Sequence, residues 1–343
     1  MLLMKILAIE TSCDETALAL IEAKGGFSSP KFKILKNLIS SQIMVHRPFG
    51  GIVPFLAKRE HIKNLPKLFK NFFDISQKNS KPDLLAVTVG PGLEPALWSG
   101  INFLKEVRKK YFPKTKIIGV NHLEGHLYSF LLSFYPLRSF SKIFPAVALI
   151  VSGGHSILLL MTSLKKWKKL GETRDDAAGE AFDKVGRMLG LNYPAGPEIE
   201  KLAKKNRRDL IEFPRPMIKA KNYDFSFAGL KTAVFYYLLN HPKASKTAVA
   251  SAFQKAAVEV LTFKTIKAAK EFKAKSIILC GGVAANKKLC QALKLESAKL
   301  KINFFHPPKN FNTDNAAMIA IAAYFNYLNK KFYRLKAQPH LNI

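Results

Sequence analysis

Residues 6–21, ILAIETSCDETALALI, form the stretch that decides the fold: an apolar run, a short loop of small and acidic residues, and a second apolar run. Residues 148–161, ALIVSGGHSILLLM, repeat this plan. Aliphatic and β-branched runs separated by a few small polar residues are typical of β-hairpins. Loops of this kind can also hold a phosphate group. The two stretches therefore predict two hairpins, one in each half of the chain.

A second pair of stretches shares a different plan. Residues 86–103, AVTVGPGLEPALWSGINF, and residues 277–293, IILCGGVAANKKLCQAL, each pass from an apolar strand through a glycine turn into a helix. Glycine lets the backbone approach a ligand closely, and a helix N-terminus favours negative charge. Both stretches therefore predict a strand, a ligand-binding turn and a helix.

One hairpin and one strand–glycine–helix unit in each half predict a duplicated α/β architecture of two lobes with a central cleft. We expect the first lobe to span residues 1–120 and to be completed by residues 316–343, which begin with a helix over 316–329. We expect the second lobe to span residues 121–315 and to carry the metal and nucleotide motifs. Other predictions are a strand at 116–120 and helices at 176–189, 228–239 and 246–272.

The charge of the chain is strongly positive. The 343 residues include 55 Lys and Arg against 24 Asp and Glu, a formal net charge of +31. One interpretation is a compositional bias towards lysine, which decorates solvated helices. The other is attraction to a polyanion such as a nucleic acid. Net charge alone leaves both open, and no zinc-finger or helix-turn-helix signature favours base-specific contacts.

Composition excludes several classes of protein. With 48% hydrophobic residues the chain is globular. Its longest apolar run, residues 146–161, is interrupted by polar residues and is shorter than the roughly 20 residues of a membrane span. Lys5 lies inside the first apolar run, which argues against a signal peptide. The cysteines Cys13, Cys280 and Cys290 give no paired spacing, so we expect no disulfides and a cytoplasmic location.

The motif HLEGH offers metal ligands. His122 and His126 are spaced i, i+4, so on a helix both rings face the same way and can share a metal ion. Zinc peptidases place their glutamate directly after the first histidine, whereas Glu124 comes one residue later, and this disfavours a peptidase. Asp314, in NTDNAAMIA, is a candidate third ligand. Its alternative is an ordinary acid at a helix start.

Residues 172–190, ETRDDAAGEAFDKVGRMLG, concentrate acidic side chains. Asp183 is the better candidate for binding a ribose, whereas Asp175 and Asp176 are interpreted as a solvated helix start. Gly196 could let a ribose or nucleobase approach the backbone. The amide of Asn286 could hydrogen-bond an adenosine group or simply cap a helix.

Taken together, nine segments in order resemble the universal threonylcarbamoyl-transfer family that modifies tRNA, of the bacterial TsaD type, formerly labelled a glycoprotease. This family has the actin/Hsp70/sugar-kinase (ASKHA) fold. The segments are ILAIETSCDET, GIVPFLAKREHI, VGPGL, NHLEGH, LIVSGGH, DDAAGEAFDKVGRMLGLNYPAGP, FSFAGLKTAV, GGVAAN and NTDNAAM.

The resemblance implies a metal site and a substrate site. His122, His126 and Asp314 would hold one divalent ion, Fe²⁺ in the usual description, although two histidines and an aspartate also suit Zn²⁺ or Mn²⁺. Threonylcarbamoyl-AMP would be bound by a second set of residues. This set is Ile150, Val151, Ser152, Gly153, Gly154, Asp183, Gly196 and Asn286.

The implied reaction transfers the threonylcarbamoyl group to N6 of the adenosine immediately 3′ of the anticodon, in tRNAs reading codons that begin with A, and releases AMP. Asp14 or Glu15 is a candidate for deprotonating the attacking amine, whereas Cys13 is interpreted as a packing residue. The resemblance also implies a non-catalytic paralogue (TsaB type) and a small ATPase (TsaE type) as partners. The apolar helix at residues 61–73 is a candidate docking surface.

Two residues depart from the family pattern. Phe55 stands where the family usually has Glu, in a segment associated with partner docking. Ala195 stands where it usually has Gly, and the cost depends on whether its φ is positive. Two other functions remain open, an ATP-dependent phosphotransferase of the same fold and a catalytically silent tRNA- or protein-binding scaffold. For tRNA contacts we expect the basic residues of 201–208 and 215–221.

Overall fold

Each of the two units formed by the chain is built around its own five-stranded sheet. The computed structural model describes residues 3–72, 81–133, 140–206 and 211–343. The first unit comprises residues 1–137 and 313–343, and the second comprises residues 138–312.

The first sheet has the strand order β3-β2-β1-β4-β5. Strands β1 and β2 pair antiparallel, as do β2 and β3, whereas β4 runs parallel to β1 and to β5. These strands are β1 (Met4–Glu10), β2 (Glu15–Lys24), β3 (Lys31–Ser41), β4 (Leu84–Gly90) and β5 (Lys116–Asn121).

The second sheet repeats this topology. Its strand order is β10-β9-β6-β7-β8. Listed from the other edge, β8-β7-β6-β9-β10 corresponds strand by strand to β3-β2-β1-β4-β5 of the first sheet. It too starts with an antiparallel meander and adds two parallel strands. These strands are β6 (Ala146–Val151), β7 (Ser156–Ser163), β8 (Lys166–Glu172), β9 (Ser276–Cys280) and β10 (Asn303–Phe305). The predicted duplicated α/β fold is confirmed.

Helices cover both sheets. In the described residues they are α1 (Ile43–His46), α2 (Pro54–Phe72), α3 (Glu94–Tyr111), α4 (His122–Tyr128), α5 (Ala178–Met188), α6 (Ala195–Ala203), α7 (Ala228–Asn240), α8 (Lys246–Glu271), α9 (Lys287–Lys299) and α10 (Ala316–Leu328). In the described part of the chain, none of them combines the length and the apolarity that crossing a membrane would require.

The predicted elements lie where their patterns placed them. Both hairpins form, as β1–β2 and β6–β7, and both glycine turns lead from a strand into a helix, α3 and α9. The helices α5, α7, α8 and α10 match their predicted spans to within two residues. Strand β3 was not predicted, because an edge strand with many exposed polar positions lacks a continuous apolar run.

The division of the chain differs from the predicted boundary at residue 120. Helix α4, which carries His122 and His126, lies in the first unit, and so does Asp314. The reason is that α4 follows β5 without a linker and packs against α10, which lies on the first sheet. The prediction that all three residues lie in the second lobe is therefore wrong.

Ala195 fits its position without backbone strain. It is the first residue of α6, so its φ is negative, and its side chain is 1% exposed. The neighbouring α5 has a glycine at the point of contact: a Cβ on Gly186 would lie 2.1 Å from the Cβ of Ala195. The missing side chain of Gly186 therefore makes room for the methyl group of Ala195.

This contact predicts a coupled pair of substitutions. We expect Gly186→Ala to lower the free energy of unfolding by about 1–3 kcal/mol, because two methyl groups cannot share one space. Adding Ala195→Gly should restore most of the loss. The measurement is chemical denaturation of the two single variants and the double variant. Purely additive effects would contradict the proposed contact.

Candidate metal and nucleotide sites

Helix α4 is a fully buried helix that carries polar side chains. All seven of its residues, His122 to Tyr128, are buried. Its N-terminus is capped by Asn121, whose Oδ1 accepts a hydrogen bond from the backbone N–H of Leu123 at 2.8 Å. The side-chain amide of Asn121 also donates to the backbone oxygen of Asn342 at 2.9 Å. The start of α4 is thus fixed by the residue before it and by the end of the chain.

Gly125 lets α10 approach α4 closely. A Cβ at this position would lie 2.8 Å from Cδ1 of Ile319 and 3.1 Å from Cγ of Met318. Helix α10 is capped by Asn315, whose Oδ1 accepts from the N–H of Met318 at 3.0 Å. Asp314 immediately precedes this cap, so it is not itself the helix cap that we had considered as its alternative role.

The close approach brings the three predicted ligands together. Oδ1 of Asp314 lies 3.4 Å from Nε2 of His122 and 3.1 Å from Nε2 of His126. One ligand atom from each residue lies within 4.8 Å of the others. His122 and His126 are buried, whereas the Asp314 side chain is 18% exposed. The cluster therefore has one side open to solvent.

Glu10 orients the first histidine. Its Oε2 lies 3.0 Å from Nδ1 of His122, and its carboxylate also accepts from the hydroxyl of Thr88 and the N–H of Ser12, each at 2.5 Å. Because a carboxylate holds Nδ1–H, the other ring nitrogen is left as an electron-pair donor. Glu10, at the end of β1, thereby directs Nε2 of His122 towards Asp314.

Electrostatics in this cluster favour a positive charge. Burial lowers the pKa of His122, but the carboxylates of Asp314 and Glu10 outweigh burial and raise that pKa to about 9. Burial raises the pKa of Glu10, but the charge and hydrogen bond of His122, together with the hydrogen bond of Thr88, outweigh burial and lower that pKa. Two carboxylates thus stabilise a cation at this point of the fold.

His126 fits the role of a ligand. Its side chain is fully buried, and neither ring nitrogen has a hydrogen-bond partner within the described ranges. Nε2 lies near Asp314 but lacks hydrogen-bond geometry to it. A buried imidazole without hydrogen-bond partners is costly, and a divalent ion between the three side chains would give Nε2 a partner. The donor set fits one divalent ion with further coordination positions open.

Glu124, the middle residue of HLEGH, faces away from this cluster. It is fully buried, and its carboxylate accepts from Lys331 at 2.5 Å, from Tyr333 at 2.8 Å and from Asn326 at 2.8 Å. These donors all come from α10 and the segment that follows it. Glu124 therefore fastens the metal-ligand helix to the end of the chain, which confirms that it is not placed as a peptidase base.

The loop between β1 and β2 is held by hydrogen bonds from His61. Nε2–H of His61 donates to the backbone oxygen of Cys13 at 2.9 Å, and Nδ1 of His61 lies 2.8 Å from the hydroxyl of Thr16. Burial raises the pKa of the Cys13 thiol, and the carboxylate of Asp14 adds to this effect. A thiol that resists ionisation is a poor nucleophile, in agreement with a packing role. Burial, followed by Asp14, likewise raises the pKa of Glu15.

The predicted substrate loop of the second unit follows β6. Ile150 and Val151 end that strand and are buried, whereas Gly153 and Gly154 are exposed and a Cβ on either would meet open space. The backbone oxygen of Ser152 accepts from the N–H of Gly179 at 3.2 Å. This contact sets the loop against the start of α5.

The remaining predicted substrate residues lie in two local contacts. Oδ1 of Asp183 accepts from the N–H of Ala195 at 2.7 Å, which places Asp183 beside Gly196. Asn286 caps α9 by accepting from the N–H of Leu289 at 3.0 Å, and its amide donates to Oε1 of Gln254 at 2.8 Å. The capping role that we left open for Asn286 is thus present, and Gln254 orients its amide.

Asp175 is exposed, as the interpretation of a solvated helix start implies, but both acids also bind donors from other segments. Asp175 accepts from the N–H groups of Phe227 and Ala228 and from the hydroxyl of Ser226. Asp176 pairs with Lys184 at 2.7 Å and Lys231 at 2.8 Å. The two acids link two motifs of the second unit, because the lysine-rich surroundings and the start of α7 offer strong donors.

Sequence reasoning missed two supporting residues. Glu10 has no role in the sequence analysis. A carboxylate at the buried end of an apolar strand must be paired, and this signal could have identified it. Gln254 lies inside the buried face of α8, and nothing in its spacing connects it with Asn286.

The two sheets of equal topology and the histidine–aspartate cluster define a duplicated α/β protein of the ASKHA class that carries a candidate metal centre. HypF from T. kodakarensis has a similar structure, with a TM-score of 0.55 at 14% sequence identity. The match covers 96% of this chain and 48% of that chain, so this chain spans about half the length of HypF. At this identity the likeness shows the fold alone.

Sequence comparisons give the family. The model described as TsaD, tRNA N6-adenosine threonylcarbamoyltransferase, matches residues 33–321. The tRNA N6-adenosine threonylcarbamoyltransferase of Thermosipho melanesiensis is 46% identical over 342 residues, covering 99% of this chain and 100% of the relative. That of Moorella thermoacetica is 45% identical over 344 residues, covering 98% and 96%. The chain belongs to the tRNA N6-adenosine threonylcarbamoyltransferase family.

The Glu124 contacts predict a large effect on stability. We expect Glu124→Ala to lower the free energy of unfolding by about 2–4 kcal/mol, because buried donors lose their acceptor. The matched control is Glu106→Ala, an exposed glutamate of α3, which should change it by at most about 0.5 kcal/mol. The measurement is denaturation of both variants. Equal effects would show that the Glu124 contacts do not stabilise the fold.

Proposed function

We propose that this protein transfers the threonylcarbamoyl group from threonylcarbamoyl-AMP to N6 of the adenosine immediately 3′ of the anticodon, in tRNAs reading codons that begin with A, with release of AMP. The observation that carries the proposal is the convergence of His122, His126 and Asp314 in a chain of this family. An ATP-dependent phosphotransferase gives no role to this cluster, and a silent scaffold gives no reason to retain it.

The reaction asks for positioning and for stabilisation of charge. AMP is a good leaving group, so no covalent enzyme intermediate is needed. A divalent ion, Fe²⁺ by family resemblance, would be held by His122, His126 and Asp314 and would supply Lewis-acid stabilisation of oxygen charge. Glu10 keeps His122 in the orientation that such binding requires.

The second unit would bind the adenylate. We assign its phosphate to the loop at Ser152–Gly154. This loop directly follows Ile150 and Val151, the other two predicted substrate residues of this segment. The ribose is assigned to Asp183 and Gly196, which lie side by side. The adenosine base is assigned to Asn286, whose amide is already oriented by Gln254. Three short segments of one unit would thus hold three parts of one ligand.

Asp14 or Glu15 would accept the proton of the attacking amine. Asp14 lies in the loop that leaves β1, the strand that ends in Glu10, and Glu15 is the first residue of β2. Burial, followed by the charge of Asp14, raises the pKa of Glu15, and a raised pKa makes an ionised carboxylate a stronger base.

The decisive experiment is reconstitution. The protein is incubated with threonine, bicarbonate, ATP, an adenylate-forming enzyme, partner subunits and unmodified tRNA, and the tRNA is digested to nucleosides. We expect threonylcarbamoyladenosine. Its absence with partners known to be active would overturn the proposed function, and a phosphorylated small molecule would favour the phosphotransferase.

Variants in the same assay test the cluster. We expect His126→Ala to lose bound metal, measured by elemental analysis after anaerobic loading with Fe²⁺, and to lose at least about 100-fold in rate. His241→Ala, an exposed histidine of the second unit, is the matched control and should keep both. Full metal content in His126→Ala would contradict its role as a ligand. If Asp14→Asn and Glu15→Gln both react at the wild-type rate, neither is the base.

A groove on the first unit is a candidate docking surface for a partner protein. A cavity of about 650 Å³ lies between α2 and α3, and its rim includes Phe55, 74% exposed, and Ile62, 55% exposed. We assign this groove to the paralogue of TsaB type, and we expect an ATPase of TsaE type to join the complex. Part of the predicted docking surface at residues 61–73 does not belong to the groove. His61 faces the interior, and residue 73 lies outside the described residues.

The three free thiols support a reducing, cytoplasmic setting.

The groove predicts which variant loses the partner. We expect Ile62→Asp to abolish co-elution with the paralogue on gel filtration, because a charge would be buried in an apolar contact. Leu239→Asp, at an aliphatic residue of α7 that is 62% exposed, should co-elute like the wild type. Co-elution of Ile62→Asp with unchanged affinity would exclude this groove as the docking surface.

A further inference from the structure

A long groove on the second unit lies next to the candidate nucleotide residue Asn286. It runs between α8 and α9, reaches the end of α6, and encloses about 1280 Å³. Val258 and Ile266 form part of its apolar floor, and two exposed apolar side chains, Phe263 and Leu295, stand at its edge. This volume exceeds the roughly 300–1,000 Å³ of typical small-molecule sites, so a larger ligand fits it better.

The lining of the groove is basic. Seven lysines face it against three glutamates. Each glutamate is already paired with a cation: Glu200 with Lys204 at 3.1 Å, Glu259 with Arg215 at 2.7 Å, and Glu296 with Lys299 at 2.6 Å. The lining therefore keeps an excess of lysines over glutamates. The seven lysines are Lys204, Lys255, Lys267, Lys270, Lys287, Lys288 and Lys299.

The uncompensated charges are concentrated at two ends of the groove. Within the described ranges, Lys270, Lys287 and Lys288 form no ion pair with a carboxylate. Lys267 donates to the backbone oxygens of Ala220 and Lys221, at 3.4 and 2.8 Å, which leaves its charge in place. Like charges gathered along a concave surface raise the local potential and attract an extended anion.

The groove begins beside a predicted nucleotide motif. Lys287 and Lys288 are the first two residues of α9, a helix of 13 residues capped by Asn286, and helix N-termini favour phosphate. Gln254, which binds Asn286, also lines the groove. The exposed ring of Phe263 offers a surface on which a nucleobase can stack. Lysine ammonium groups suit phosphates as point charges.

We propose that the α8–α9 groove binds the phosphate backbone of the tRNA substrate. The proposal rests on the proposed function, because it takes tRNA as the substrate. The sequence predicted tRNA contacts at the basic residues of 201–208 and 215–221, and the groove lies only partly there. Arg215 is paired with Glu212 and Glu259, and residues 207–210 lie outside the described residues. Such contacts hold tRNA in place without reading its sequence.

The test compares two charge reversals of equal size. The groove variant is Lys270→Glu/Lys287→Glu/Lys288→Glu, and the matched control is Lys31→Glu/Lys33→Glu/Lys114→Glu, at exposed lysines of the first unit. Binding of unmodified tRNA is measured by fluorescence anisotropy at several KCl concentrations. We expect the groove variant to bind about 10- to 100-fold more weakly and the slope of log K against log salt to fall by about two to three. The control should resemble the wild type.

Further measurements separate the possible failures. Thermal unfolding by circular dichroism checks that the variants are folded, and the milder Lys→Gln triple variant replaces the reversal if they are not. Groove variants that bind tRNA like the control would overturn the proposal. Retained tRNA binding with lost co-elution of a partner would show an acidic protein in the groove instead and would also overturn it. The proposed function fails separately, if the wild-type protein binds tRNA but forms no threonylcarbamoyladenosine.

Discussion

The first unit depends on one constraint: a helix of seven residues is completely enclosed, although it carries two histidines and a glutamate. Buried polar groups destabilise a fold unless each finds a partner. Helix α4 meets this demand with two carboxylates used in opposite ways. Glu10 comes from β1 and accepts from His122, whereas Glu124 comes from α4 itself and collects donors from the end of the chain. The first contact orients a ligand, and the second holds the helix that carries it.

This arrangement explains why residues far apart in the sequence belong to one unit. The final segment passes over the first sheet, where Tyr333 forms a bridge to Gly119 and Asn342 binds the cap of α4. Asp314 reaches the histidines because α10 packs against α4 at Gly125. If the contacts of Glu124 were lost, α10 and Asp314 would lose part of what holds them. Stability of the unit and geometry of the candidate metal centre are therefore coupled through α4 and α10.

The sequence predicts the fold well where its patterns are local. Hairpins, glycine turns and amphipathic or apolar helices depend on residues close in the chain, so their spacing is visible in the sequence. The pairing of Glu10 with His122, and of Asp175 with the start of α7, joins segments that are far apart, and no local pattern records it. The boundary at residue 120 was misplaced for the same reason, because α4 belongs to the unit against which it packs. The candidate ligands could be chosen from spacing and resemblance, but the residues that support them required the fold.

The positive charge of the chain divides into two kinds. Where lysines approach buried or half-buried acids, as Lys331 does with Glu124 and Lys184 with Asp176, their charge is used within the fold. Exposed lysines without a carboxylate nearby contribute little to stability and repel one another. Their mutual repulsion therefore does not help to hold the fold together. The net charge of +31 is therefore uninformative as a sum, whereas its distribution is informative: lysines on a convex helix face are screened by salt one by one, and those along a groove act together on an extended anion.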